Sequence, residues 1–307
     1  MVRTDDDDWD PATGVGVTAT FGATARAVAA GAGLLNDPFA EPLVRAAGVP
    51  YFTRIIDGDL GEADQDNQAD SADNRTTAGL IDILVTHTRF LDGFLAEAGR
   101  AGIRQAVILG SGLDARAYRL WWPPGTTVYE IDQPRVIEFK TGLLHGLGVK
   151  PTAHRRAVGI DLRQDWLAAL WRVGFDADQP TVWIAENLLV GYLPPGGQQR
   201  LLNDLTAVSA VGSRFAADHM PTWTPLQQKA GRAFVDRWRR FGLDVDLAAL
   251  TYPGEYRYLP EWLASNGWKT VERDVVELFA AMGMPGHWSV RPRDVAITPR
   301  YVTATRV

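Results

Sequence analysis

Across 307 residues the chain is 46% hydrophobic, 22% charged and 10% aromatic, enough apolar material for a packed core, which excludes a wholly disordered or fibrous polymer. Thirty-one Lys and Arg against 37 Asp and Glu give a net charge of −6, the wrong sign for a nucleic-acid partner. There is no cysteine, so disulfides, thiolate nucleophiles and Cys-ligated zinc are excluded.

The N-terminus, with Asp5 to Asp8 in a row, has the wrong charge for a signal peptide, and no run of about 18 apolar residues follows anywhere. The expectation is a cytoplasmic protein with no membrane partner. Residues 14–33 are Ala/Gly-rich and predict short helices, ended by the Asn36-Asp37-Pro38 turn. Between 57 and 73 stand Asp57, Asp59, Glu62, Asp64, Asp66, Asp70 and Asp73 with no base, a solvated loop without the Gly and Glu register of a calcium site. Leu80, Leu84, Leu91, Phe94 and Leu95 recur at helical spacing, predicting one long buried helix over 75–98.

Beyond it strands and helices alternate. Strands are predicted at 105–110, 126–132, 154–160, 181–187 and 213–219, with helices at 114–121, 134–146, 163–172 and 195–211. Such alternation defines an α/β protein with a mainly parallel sheet and helices on both faces. The last third breaks the rhythm. Leu226, Ala230, Phe234, Trp238 and Phe241 share one face of an amphipathic helix over 222–241, a core stripe or part of a lid insertion at about 220–265. Strands at 268–274 and 295–306, with a helical connection near 275–283, complete the chain. The division is an N-terminal tail and helical extension over 1–100 and an α/β domain over 101–307.

The chemistry concentrates at strand ends. Val107-Ile108-Leu109-Gly110-Ser111-Gly112 runs a buried strand into a glycine turn, where the missing side chains let a ligand approach the backbone. Asp132 ends the next strand twenty residues beyond Gly112, the spacing at which a carboxylate meets an adenosine ribose. The third strand delivers Asp161 and Leu162, and the fourth delivers Glu186. In an open α/β sheet these tips share one crevice. Gly110-x-Gly112-x-x-Ala115 also fits a relaxed dinucleotide fingerprint, and a tight loop or a plain strand end would explain the pieces one by one. An acidic rim suits the sulfonium and ammonium of S-adenosyl-L-methionine better than a pyrophosphate. An NAD-dependent dehydrogenase is the alternative.

At these residues the chain resembles the leucine carboxyl methyltransferase family, in particular its actinobacterial S-adenosyl-L-methionine-dependent branch. The segments that carry the resemblance are RAVAAGAGLLNDPF (26–39), Thr88-Arg89-Phe90, LGSGLDARAYRL (109–120), YEIDQPRVIEFK (129–140), GIDLRQDW (159–166) and AENLLVGYLP (185–194). The resemblance implies a class I, Rossmann-like fold: a mostly parallel seven-stranded sheet whose last strand is antiparallel, with a helical N-terminal extension. It implies that Gly110, with Ser111 and Gly112, borders the methionine part, that Asp132 meets the ribose, that Asp161 and Leu162 surround the adenine, and that Glu186 lies near the amino group or the reacting centre. Arg89 matches an arginine that pairs with the cofactor carboxylate. Arg26 stands where some members carry a lysine of the same duty.

The implied reaction is in-line methyl transfer to an oxygen nucleophile, a carboxylate or hydroxyl, of a small molecule. A carboxylate acceptor is ionised at pH 7 and needs no base; a hydroxyl needs one, for which Tyr192 and His219, just past the fourth strand and ending the fifth, are the candidates. Asn187 is followed by Leu188-Leu189 rather than Pro-Pro-aromatic, which lowers amine methylation. No G-x-S-x-G elbow or H-E-x-x-H motif occurs, and the five histidines are scattered, so neither a hydrolase nor a metal site is supported. A non-catalytic S-adenosylmethionine-binding protein is the remaining alternative.

Overall fold

The computed structural model describes residues 10–59, 77–220, 238–239, 242–243, 245, 250–283 and 299–307. The helix expected over 222–241 and most of the acidic loop therefore lie outside the described residues, as does much of the expected lid.

The sheet is built on β1 (Gln105–Leu109), a strand buried along its whole length. It pairs in parallel with β2 (Thr127–Asp132) on one side and β4 (Thr181–Leu189) on the other. Outside these lie β3 (His154–Gly159) and β5 (Arg214–His219), also parallel. β7 (Arg300–Arg306) runs antiparallel between β5 and β6 (Trp268–Arg273). The order is β3-β2-β1-β4-β5-β7-β6, and the sheet is the expected mostly parallel, seven-stranded one with its last strand antiparallel. Strand order reverses between β1 and β4, and that switch point opens a crevice at their carboxyl ends.

Period-two alternation fills both faces. Val107, Leu109, Tyr129, Ile131, Trp183, Ala185 and Phe215 face one core, completed by α7 (Trp166–Arg172), α8 (Pro195–Ala207) and α9 (Leu259–Ser265). Ala106, Ile108, Val128, Val182, Ile184 and Ala216 face the other. There they meet α4 (Thr77–Arg100), which buries Leu91, Leu95 and Ala98, and Leu144 of α6 (Pro134–Gly146). Short signals set the boundaries. Pro134 occupies the first helical position of α6, where its missing N–H costs nothing. Asp165 caps α7 by accepting from Ala168 N–H at 3.1 Å. Asp274 and Glu277 form a capping box on α10 (Val275–Met282).

The N-terminal helices α1 (Gly16–Gly31), α2 (Ala40–Ala47) and α3 (Pro50–Ile56) form a further layer. Phe21, Tyr51 and Phe52 surround the buried Trp238 with ring centroids 5.4–6.3 Å apart. The expected strand over 295–306 is β7 in its described part. Among the described residues no helix is long and apolar enough to cross a membrane, and no cluster of His, Asp and Glu could hold a metal ion.

Candidate active site

The chain leaves β1 through two left-handed glycines, Gly110 at φ 61° and Gly112 at φ 44°, a region that costs any other L-residue. The space is also closed: a Cβ on Gly110 would lie 3.2 Å from Leu188 Cδ1, and one on Gly112 3.1 Å from Ala19 Cβ. Between them Ser111 N–H donates to Ile131 O at 3.0 Å. Asp132, at the tip of β2, accepts from Gly112 N–H at 2.6 Å on Oδ2 and from Gln133 N–H at 2.7 Å on Oδ1. Burial pushes its carboxyl above the usual range, and the two N–H groups pull it back. One hydrogen bond to each oxygen leaves lone-pair capacity on the carboxylate.

Beneath the turn, Lys140 is fully buried. Its Nζ lies 2.9 Å from Glu130 Oε2 and donates to Ser111 Oγ at 3.2 Å. Arg155 Nη2 lies 2.8 Å from the same Glu130 oxygen. This ion group ties the glycine turn to α6 and β3.

Asp161 follows β3. Arg163 holds it with two charge-assisted bonds, Nε to Oδ1 at 2.9 Å and Nη2 to Oδ2 at 2.6 Å, and donates from Nη1 to Tyr252 Oη at 2.8 Å. Glu186 lies in the irregular part of β4, where pairing with β5 shifts between Ala185 and Leu189. The next residue, Asn187, has φ 52°, the one non-glycine residue with positive φ among those described, and its N–H donates to Asp218 Oδ1 at 2.6 Å. His87 Nε2 lies 3.1 Å from that same oxygen, with both side chains buried. Burial opposes charge on His87, yet Asp218 and Glu186 raise its pKa.

Arg116 begins α5 (Arg116–Arg119) and is 1% exposed. Its Nη1 donates to Glu186 Oε2 and to Asp114 Oδ2, and its Nε donates to Asp92 Oδ1 at 2.6 Å. Burial works against ionising Asp114, but Arg116 and Arg26 hold its carboxyl at about 2. Arg26, on α1, donates from Nε to Asp37 Oδ2 at 3.1 Å and from Nη2 to Leu113 O at 2.9 Å.

One cavity gathers most of the predicted residues. Arg26, Gly110, Ser111, Gly112, Asp132, Asp161, Leu162, Glu186 and Tyr192 all line it, joined by Val15, Thr18 and Ala19 from the start of α1. Two predicted residues do not. Arg89 sits half-buried on α4 and is not in the cavity wall. His219, at the end of β5, bonds through Nε2 to Glu272 Oε1 at 3.0 Å, while Glu272 Oε2 accepts from Tyr258 Oη at 2.5 Å. Burial lowers the His219 pKa against the pull of Glu272, and Tyr258 is pushed up to about 12 by burial and the same carboxylate. Sequence reasoning missed Asp114 and Gln133, which line the cavity, and Arg116 and Lys140, which sit behind it. The Asp114-x-Arg116 spacing was the available signal.

The wall suits an adenosyl sulfonium donor. A glycine cradle that a Cβ would fill, a strand-tip carboxylate with spare lone pairs, acids for cationic groups and an arginine for a carboxylate converge on one space. The fold is the class I, Rossmann-like arrangement, and comparison with known proteins makes the chain an S-adenosyl-L-methionine-dependent methyltransferase. The family model for leucine carboxyl methyltransferase matches residues 18–206. A Mycobacterium avium (strain 104) relative, provisionally named an S-adenosyl-L-methionine-dependent methyltransferase, is 60% identical over 293 residues, covering 95% of this chain and 98% of its own. A Mycolicibacterium smegmatis relative of the same provisional name is 50% identical over 286 residues, covering 92% and 91%. The chain belongs to the leucine carboxyl methyltransferase family. Two crystal structures share the fold: a provisionally named methyltransferase from Thermobifida fusca YX (TM-score 0.50, 19% identity, covering 93% of this chain and 94% of its own) and a DUF574 family protein from Streptomyces avermitilis MA-4680 (0.51, 16%, 87% and 96%). The dehydrogenase and the non-catalytic binding protein are thereby set aside.

Proposed function

We propose that the enzyme methylates an oxygen nucleophile of a small molecule, and that this nucleophile is a carboxylate. The observation that carries the choice is the state of the acids in the cavity wall. Asp114 and Glu186 are bonded to Arg116, Asp161 to Arg163, and Asp132 to two backbone N–H groups. Each therefore already serves to hold a partner. An acceptor that arrives ionised needs no base, and the family's description names a carboxyl acceptor.

In this reading Asp132 receives the ribose hydroxyls and Gly110, Ser111 and Gly112 let the donor's chain lie against the backbone. Asp161 and Leu162 border the adenine, with Asp161 kept in place by Arg163. Glu186 faces the donor's ammonium, and Arg26 its carboxylate; Arg89, outside the wall, is a second candidate for that carboxylate. The bound donor supplies an electrophilic methyl on sulfur. The protein supplies orientation and a dry, preorganised site, which together can be worth roughly 7–11 kcal/mol. Tyr192, which lines the cavity, orients the acceptor in this reading.

The test is radiolabelled methyl transfer from S-adenosyl-L-methionine to a panel of small carboxylic acids and alcohols, with mild alkali applied to the product. Methyl esters release volatile methanol, whereas ethers do not. Alkali-labile label supports the reading, and alkali-stable label on alcohols would overturn the carboxylate.

A further inference from the structure

Arg26 and Glu186 lie 160 positions apart in sequence, on α1 and β4, and both line the cavity. A continuous chain of ion pairs of alternating sign joins them. Arg26 Nε lies 3.1 Å from Asp37 Oδ2, and Arg119 Nε lies 3.5 Å from that same oxygen. Arg119 grips Asp92 with both Nη atoms, at 2.6 and 2.7 Å. Asp92 Oδ1 also accepts from Arg116 Nε at 2.6 Å, and Arg116 Nη1 reaches Asp114 and Glu186. Three of the four inner members are out of water: the side chains of Asp37, Arg119 and Arg116 are 0%, 2% and 1% exposed, and that of Asp92 is 19% exposed.

Burying charge in this way is expensive, and apolar packing would stabilise the fold as well or better. What the chain of pairs does provide is geometry. Planar guanidinium forks fix the direction of each link, so a cation and an acid from distant segments are held at a set separation on one cavity wall. An α-amino acid end presents a carboxylate and an ammonium on a single carbon, which demands a set separation of that kind.

We propose that Asp37, Arg119 and Asp92, none of which lines the cavity, are positioning residues for the donor's amino-acid end, acting through Arg26 at one terminus and Arg116 and Glu186 at the other. This rests on the proposed reading of Arg26 and Glu186. It separates recognition of the amino-acid end from recognition of the adenosine end, which Asp132 governs.

Calorimetry with two probes tests it. S-adenosylhomocysteine carries both ends; 5′-methylthioadenosine carries the adenosine end alone. Asp92→Asn removes a charge from the chain, and Arg119→Lys keeps the charge but loses the fork, providing a milder variant if the first folds poorly. Each should weaken S-adenosylhomocysteine by about tenfold while 5′-methylthioadenosine stays within about twofold. Equal weakening of both probes would show a merely structural network, and an unchanged affinity for both would show no coupling; either result overturns the proposal. Asp132→Ala is the reference: it should weaken both probes, and if it weakens neither, the cavity reading itself fails, whatever the network variants do.

Discussion

Gly112 donates its N–H to Asp132 Oδ2 at 2.6 Å, tying the turn after β1 to the tip of β2. Both residues line the cavity. Asp132→Ala should weaken S-adenosylmethionine binding by about 1–3 kcal/mol, the value of charge-assisted hydrogen bonds lost. Calorimetry reads this directly, and unchanged affinity would remove Asp132 from the site. Because burial raises the Asp132 pKa, the acid protonates at a higher pH than an exposed aspartate. Donor affinity should therefore fall on acidification before ordinary carboxylates titrate, and Asp132→Asn should flatten that fall.

Asn187 carries φ 52° at the bulge that places Glu186. Its N–H is satisfied by Asp218, so the strain lies in the backbone and side chain alone. Asn187→Gly should leave thermal stability unchanged or slightly raised. Asn187→Val should cost about 1–2 kcal/mol, because a β-branched residue resists the left-handed region. Equal melting temperatures for the two variants would contradict this.

The His87–Asp218 pair gives a stability term with a defined sign. The folded-state pKa of His87 is raised, so the folded protein binds the proton more tightly than the unfolded chain. The contribution is full below the unfolded value of about 6.5 and is lost as pH rises through the folded value. Urea titrations of wild type and His87→Gln should show a stability gap that narrows as pH climbs above about 6.5. A gap that widens would reverse the assignment.

Lys140 is buried between Glu130 and Ser111. Lys140→Met keeps the length but leaves Glu130 with Arg155 as its remaining cation. Breaking a buried pair costs about 3–5 kcal/mol, and the Arg155 contact places the expected loss near about 3 kcal/mol by denaturant unfolding. A loss within about 0.5 kcal/mol would show that the lysine is dispensable to the turn.

What the sequence discloses and what it hides follow one physical division. The convergence of Gly110, Asp132, Asp161 and Glu186 on one cavity is legible because the first three sit at or just past strand ends and Glu186 at the irregular part of β4, and because strand tips of an open α/β sheet converge whatever the side chains do. Arg116 shows locally only its pairing with Asp114 two residues away; its other partners, Asp92 and Glu186, lie 24 and 70 residues away, a distance no local pattern spans. Lys140 is hidden in an amphipathic helix, where a lysine ordinarily marks the wet face; only the packing of α6 on β2, which brings its Nζ to Glu130, shows otherwise. Arg26 matched a family position and does reach the cavity wall, buried and paired with Asp37. Arg89 matched one too and lies outside that wall. Motif identity specifies the helix, not which way the helix turns the side chain.

The most direct measurement is a crystal structure of the enzyme soaked with S-adenosylhomocysteine. The ribose hydroxyls should lie within hydrogen-bond distance of Asp132, the amino-acid end between Arg26 and Glu186, and the backbone of Gly110–Gly112 against the thioether chain. Density for that ligand away from these strand tips, or lying with its adenine at Glu186 and its amino acid at Asp161, would contradict the account.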